Sequence, residues 1–269
     1  MPPNQLKFGF HDFLNAQPLL LPLVQQEKTL GIKIVQDVPA RLAEKLLANE
    51  LDLAMIPTIE FLLHLDRYRL LPGICIASRG EVKTVLLVAK VPLENIETLA
   101  VDPRSKTSVA LLKLLFADQF SSTIQFHPAS PDPSEMLQEH DAALIIGDQA
   151  MGAQSLDSVK FAFDLSEEWF QRTGKTFVHA VVASQKNIEL ENQLLDYLNQ
   201  AGVKASDEIN AIAKTFSEKL GLDEKLCRDY LQNKIIYALG EEELQGIETF
   251  QKMCFEKGLV DTLAPFLTS

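Results

Sequence analysis

Between residues 6 and 147 the chain alternates short apolar runs with stretches of helical periodicity, and it does so twice in the same order. In the first series, apolar runs at 6–10, 33–38, 52–57 and 85–88 are separated by helical patterns at 18–26 and 40–49, the latter carrying Leu42, Leu46 and Leu47. The second series reads strand 98–102, helix 107–119, strand 124–127, helix 134–139, strand 141–147. Alternation of this kind predicts an α/β protein of βα units around a largely parallel sheet. Phe8 and Ala100 lie 92 positions apart, as do Ile34 and Phe126, while Asp52-Leu-Ala-Met-Ile answers Asp141-Ala-Ala-Leu-Ile at 89. A duplicated unit or the generic likeness of βα series explains the match. Ligands of open α/β sheets bind beyond the carboxyl ends of the strands, so two facing units would enclose a cleft lined by strand-to-helix loops.

The last third changes character. Helical patterns at 189–201, 205–220, 223–239 and 241–257 follow one another, with Gly202, Gly221 and Gly258 as stops. These helices are expected to return to the first unit. The first lobe is then residues 1–89 with 185–269, and the second lobe, residues 90–184, is inserted through crossings near 89–92 and 182–185 that serve as a hinge.

Charge and composition remove whole classes of function. With 25 Lys and Arg against 37 Asp and Glu, the net charge of -12 leaves no broad basic surface for nucleic acid or anionic membrane. No run approaches about 18 uninterrupted apolar residues, and the start lacks a secretory leader pattern, so a cytoplasmic location is expected. Cys75, Cys227 and Cys254 are too scattered for a disulfide framework or a CxxC knuckle, as befits a reducing compartment. His64, His127, His140 and His179 show no metal-ligand spacing and read as surface or core residues, while His11 is the histidine expected near the cleft. Motifs of the GxGxxG, GxxxxGK[ST] and GxSxG types are absent, so no metal, nucleotide or other cofactor is expected.

Several segments carry a family resemblance. Phe13-Leu-Asn-Ala-Gln-Pro-Leu, Leu70-Leu-Pro-Gly-Ile, Ser78-Arg-Gly-Glu-Val-Lys-Thr-Val-Leu-Leu, Ile146-Gly-Asp, Glu167-Glu-Trp-Phe-Gln-Arg-Thr-Gly and Tyr230-Leu-Gln-Asn-Lys-Ile-Ile-Tyr, followed by Gly246 and Phe250, occur in order over nearly the whole chain. Their succession resembles the chorismate dehydratases of the futalosine route to menaquinone. Gly9-Phe10-His11-Asp12 departs from that pattern, where something closer to Val-Ser-Tyr is expected, and this touches the fine substrate contacts. The resemblance implies a two-lobed, type II periplasmic-binding-protein-like fold closing on a small carboxylated molecule. It also implies loss of water from chorismate to give the enolpyruvyl ether of 3-hydroxybenzoate, with the substrate's own side-chain carboxylate as base. A related dihydroxynaphthoate-forming enzyme of the same route is disfavoured, because its Pro-Asn-Asp-Thr type of motif is missing after the first strand. A non-catalytic carboxylate-binding protein of this fold is the remaining alternative.

The candidate site residues sit where strands give way to loops. Asn15 can donate to a carboxylate and accept from a hydroxyl, or cap the next helix; the resemblance favours ligand contact and, with Ser78, a catalytic role. Ser78, beside Gly80 and with Thr84 further along, reads as a ligand-reaching hydroxyl at the cleft rim or as a turn residue. Ser105, Thr107 and Ser108 open an apolar helix whose start suits a carboxylate, although an N-cap is the commoner use of such residues. Gly147 lets backbone approach a ligand closely, or simply makes a turn, and Asp148 is expected to orient donors or cap a segment rather than face an anion.

Overall fold

The computed structural model describes residues 5–102, 105–120, 123–205 and 208–266. Its strands are β1 (Leu6–Phe10), β2 (Ile32–Gln36), β3 (Leu53–Pro57), β4 (Tyr68–Ser78), β5 (Val85–Ala89), β6 (Thr98–Val101), β7 (Gln125–Pro128), β8 (Ala142–Ile146), β9 (Phe161–Asp164), β10 (Phe177–Gln185) and β11 (Ile236–Leu239). Its α-helices are α1 (Gln17–Gln25), α2 (Pro39–Leu47), α3 (Thr58–Leu63), α4 (Lys106–Phe116), α5 (Pro133–Glu139), α6 (Leu165–Thr173), α7 (Asn192–Lys204), α8 (Ile209–Leu220), α9 (Glu224–Asp229) and α10 (Glu241–Glu256). Local chemistry sets several of these boundaries. Asp132 and Asp164 each accept two backbone N–H bonds at the starts of α5 and α6, and α6 ends at Gly174 in the left-handed region.

The strands form two sheets, one ordered β11-β4-β10-β3-β1-β2 and the other β7-β6-β8-β5-β9. Both are mixed rather than largely parallel: β1 runs parallel to β2 and β3, and β6 to β7 and β8, while β4, β5, β9, β10 and β11 join antiparallel. Within them lies the repeat. The order β2-β1-β3 matches β7-β6-β8, and an aspartate precedes the third strand of each. Asp52 accepts the Lys7 N–H at 2.7 Å and donates its own N–H to the Lys7 carbonyl at 3.1 Å; Asp141 does the same with Thr98 at 2.9 and 3.1 Å. The register corrects one equivalence. Phe8 pairs with Ile34 and Leu53, whereas Phe126 and Ala142 pair with Leu99, so Leu99 rather than Ala100 corresponds to Phe8.

The crossings lie elsewhere than expected. β5, placed in the first lobe by the sequence, pairs with β8 and β9 in the second sheet, so the chain changes sheet between Ser78 and Val85 rather than near 89–92. It returns through α6, between Asp164 and Phe177, because all of β10 belongs to the first sheet and not only its end at 182–185. An uninterrupted buried run such as Val85–Ala89 fills a central strand in either sheet, and its apolar pattern does not name its partners. β9 and α6, also unanticipated, complete that return.

The predicted helix 223–239 is three elements: α9, a π-helical turn over Tyr230–Lys234, and β11, which pairs with β4 at the sheet edge. Ile235 and Ile236 are β-branched and favour the extended run that ends the helix. The predicted helix 205–220 is α8, beginning at Ile209; residues 206 and 207 lie outside the described residues.

Helix α7 packs on β4 and β11, and α10 on β10, so the C-terminal segment covers the first sheet. Gly202, expected as a helix stop, lies inside α7, where an added Cβ would collide with the Gly73 carbonyl oxygen. Gly246 in α10 is likewise pressed on the carbonyl of Thr176, just before β10. Trp169 of α6 is fully buried, edge-on to Phe177 at 5.4 Å and to Phe250 at 6.0 Å, and thereby ties the return helix to β10 and α10. Among the described residues, no helix is long and apolar enough to cross a membrane.

Close backbone approach at Gly202 and Gly246 predicts that alanine at either position destabilises the fold by about 1–3 kcal/mol, a cost typical of overpacking. Thermal unfolding checks this, with the neighbouring exposed Val203→Ala as a control expected to stay within about 0.5 kcal/mol of the parent.

Candidate functional site

A cleft of about 610 Å³, open mouth included, lies between the two sheets. The first sheet contributes His11, Phe13 and Asn15 beyond β1, Pro57 at the end of β3, Ile76 of β4, and His179 and Ala180 of β10. The second contributes Val85 of β5, Ser105, Thr107 and Ser108 at the start of α4, and Ile146 and Gly147 at the end of β8; Val82 and Thr84 come from the crossing segment. The parallel strands therefore deliver their carboxyl ends to the cleft, where open α/β sheets place ligands. Among the described lining residues there is neither a carboxylate nor a Lys or Arg. Polar chemistry there comes from hydroxyls, an amide, two imidazoles and backbone N–H groups.

The start of α4 is left open to the cleft. Ser105 occupies the N-cap, yet its Oγ donates to the Asp102 carbonyl at 2.5 Å, so the first-turn amides receive no side-chain cap. Thr107 Oγ1 accepts the Ile59 N–H at 3.3 Å and thus joins α4 of the second sheet to α3 of the first. A positive dipole end with uncapped N–H groups suits an anion even without a cation beside it.

Asn15 belongs to a 3-10 turn, Leu14–Ala16, that follows β1. Its Oδ1 is buried without a hydrogen-bond partner, and its side chain lies close to the Tyr230 hydroxyl. Tyr230, buried in the π-helical turn, meets Thr84 Oγ1 at 3.0 Å. Asp148 stands outside the cavity lining and accepts the Leu14 N–H with both oxygens, at 3.2 and 3.3 Å, bracing that turn from the second sheet. Beside it Gly147 adopts φ +67°, in the left-handed region, against the ring of Phe13.

The two cleft histidines are both held neutral by burial, which lowers each pKa to about 4; for His11 the Asp12 charge opposes the shift. His11 is 3% exposed and its Nδ1 has no partner. His179, expected to be a surface or core residue, is a cleft residue. Ser78 corrects the sequence reading in the opposite direction: it does not line the cleft, but is buried behind His179, its Oγ 2.7 Å from Nε2 of that ring and 2.5 Å from Ser166 Oγ. As the last residue of β4 it faces inward rather than standing at a solvated turn. Of the residues singled out from sequence, His11, Asn15, Ser105, Thr107, Ser108 and Gly147 meet at one cavity, and Ser78 and Asp148 stand behind it. Sequence reading missed His179 and Tyr230, which lie far along the chain from the first-strand motif and carry no spacing signal. Among the described residues, no group of three or more His, Cys, Asp or Glu side chains is arranged to hold a metal.

Comparison with known proteins places the chain in a family and a fold. A family model described as menaquinone biosynthesis matches residues 6–256. Chorismate dehydratase of Thermus thermophilus is 30% identical over 236 residues, 82% of this chain and 86% of that one, and chorismate dehydratase of Campylobacter jejuni is 27% identical over 252 residues, 92% and 96%. Among solved structures, a protein of Archaeoglobus fulgidus matches with a TM-score of 0.79 at 20% identity, over 97% of this chain and 100% of that one. The alkanesulfonate-binding protein SsuA of Xanthomonas axonopodis, bound to MOPS, matches with a TM-score of 0.70 at 16% identity over 100% of both chains. At such identities the structures speak to the fold alone, which is the two-lobed periplasmic-binding-protein-like one. On the match across residues 6–256, the chain belongs to the menaquinone-biosynthesis family.

Proposed function

We propose that the protein is a chorismate dehydratase, a carbon-oxygen lyase that removes water from chorismate to give the enolpyruvyl ether of 3-hydroxybenzoate. The observation that carries this reading is a cleft furnished with neutral donors and an uncapped helix start, in a chain resembling two enzymes of that name. The reaction breaks a C–H bond at the ether-bearing ring carbon and the C–OH bond at its neighbour, and the electron pair left by the proton completes an aromatic ring. The departing proton is conjugated through a ring double bond to the ring carboxylate. Negative charge therefore builds on that carboxylate as the proton leaves, and donors aimed at it lower the barrier.

In this reading the first-turn amides of α4, with Ser108 and Thr107, hold the ring carboxylate, and the amide of Asn15 donates to the oxygen of the leaving hydroxyl as charge gathers on it. No described lining side chain is a carboxylate, and both imidazoles are weakened as bases by burial. The resemblance to chorismate dehydratases assigns the role of base to the substrate's own enolpyruvyl carboxylate. The same reading makes this a cytoplasmic enzyme of a small carboxylate, with neither nucleic acid nor membrane as partner.

Incubation with chorismate should yield an aromatic product by ultraviolet absorbance, in the presence of chelator and without added nucleotide; an unchanged spectrum refutes the proposal. Asn15→Ala should lower kcat about a hundredfold with a smaller change in KM, by analogy with lost oxyanion-hole donors, and Asn15→Asp should also weaken binding through its negative charge. Steady-state kinetics on both variants, with unfolding midpoints to exclude misfolding, decide this. Acid should act through stability. The unfolded chain protonates its histidines near their ordinary pKa of 6.5, whereas His11 and His179 resist protonation until about 4, so stability falls as the pH drops from about 6.5 towards 4. Unfolding midpoints across that range check this, and turnover should show no histidine titration between neutrality and its lower end.

A further inference from the structure

A bulge in β10 turns a histidine into the cleft. The pairing of β10 with β4 slips between Val178 and Ala180, so His179 is the extra residue, and both His179 and its neighbour Ala180 line the cavity. Successive residues of a regular strand point to opposite faces, so this placement requires the bulge. The bulge is secured: Thr58 Oγ1, at the start of α3, donates to the Val178 carbonyl at 2.7 Å.

Behind the ring stands a closed chain of hydroxyls. Ser166 is fully buried, and the only described acceptor its hydroxyl proton meets is Ser78 Oγ, at 2.5 Å. Ser78, itself 1% exposed, then spends its own proton on Nε2 of His179 at 2.7 Å. Reversing this polarity would strand a buried hydroxyl proton without an acceptor, a rare state in folded proteins. A neutral imidazole that accepts at Nε2 carries its proton on Nδ1, and Nδ1 of His179 bonds to no described residue.

We propose that Ser166, Ser78 and His179 form a relay that fixes His179 as the Nδ1–H tautomer and presents that N–H to a carboxylate of the bound substrate. This rests on the dehydratase reading and extends it. Ser78 and Ser166 are positioning residues, and His179 is the group that touches the ligand. Burial, which keeps the ring uncharged, lets it serve as a donor that neither gives up nor gains a proton during turnover.

The test begins with ring-nitrogen NMR of the whole, ligand-free protein at neutral pH, which requires no substrate. The expected spectrum has protonated Nδ1 and unprotonated Nε2 for His179; protonated Nε2 overturns the relay. Kinetics with chorismate follow on Ser78→Ala, where the ring should exchange between tautomers and kcat should fall about tenfold or more with a smaller change in KM. A Ser78→Ala variant that loses the tautomer yet keeps parental kcat refutes the role assigned to the N–H. A Ser78→Ala variant that keeps the Nδ1–H tautomer shows that serine does not set it and overturns the relay as well. If the parent protein fails to act on chorismate while the tautomer is as expected, the dehydratase reading falls and the relay in the folded protein stands.

Discussion

The site depends on one strand pairing. β10 lies antiparallel between β3 and β4, and this single insertion carries the returning chain back into the first sheet after the second has been built. It sets His179 beside Ser78 at one edge and Ala180 opposite Pro57 at the other, so three segments far apart in sequence share a wall of the cleft. The packing beneath is correspondingly tight. Phe177 is wedged between Trp169 and Phe250, with ring centroids 5.4 and 5.2 Å away, and Gly246 lets α10 press on the carbonyl of Thr176 at the strand's entrance.

Charge supplies the second constraint. A protein of net charge -12 that binds a carboxylated ligand must overcome unfavourable long-range electrostatics, and the described cavity wall holds no cation to help. The solution is local. Uncapped amides at α4, hydroxyls and uncharged imidazoles are fixed dipoles in a largely apolar cleft, where they count for more than in bulk water. Neighbours that do not touch the cavity brace parts of this wall: Asp148 under the Leu14 turn and Ser78 behind His179. The Asp148 brace joins the two sheets, as does the bond from Ile59 to Thr107, so bonds that shape the site also hold the sheets in their present relation.

Much of this was legible in the sequence wherever chemistry is local. Strand ends followed by small polar residues pointed to His11, Asn15, Ser105, Thr107, Ser108 and Gly147, and all six line the cleft. The duplicated unit was visible in Asp52 and Asp141, whose backbone bonds are identical in kind, though the offset at the first strand was one residue out. What remained hidden depends on pairing across distance. Val85–Ala89 looks the same whichever sheet receives it, and Ser78 reads as a rim residue until β10 is laid beside it. A bulge at His179 arises from a mismatch between two strands, and neither strand alone announces it.

The most direct test of the whole account is the crystal structure of the protein with the enolpyruvyl ether of 3-hydroxybenzoate. The account predicts this product between the sheets, one carboxylate on the first-turn amides of α4 and Nδ1 of His179 donating to a ligand carboxylate oxygen. A product bound on another face, or within the cleft but with the start of α4 and His179 both untouched, would contradict it.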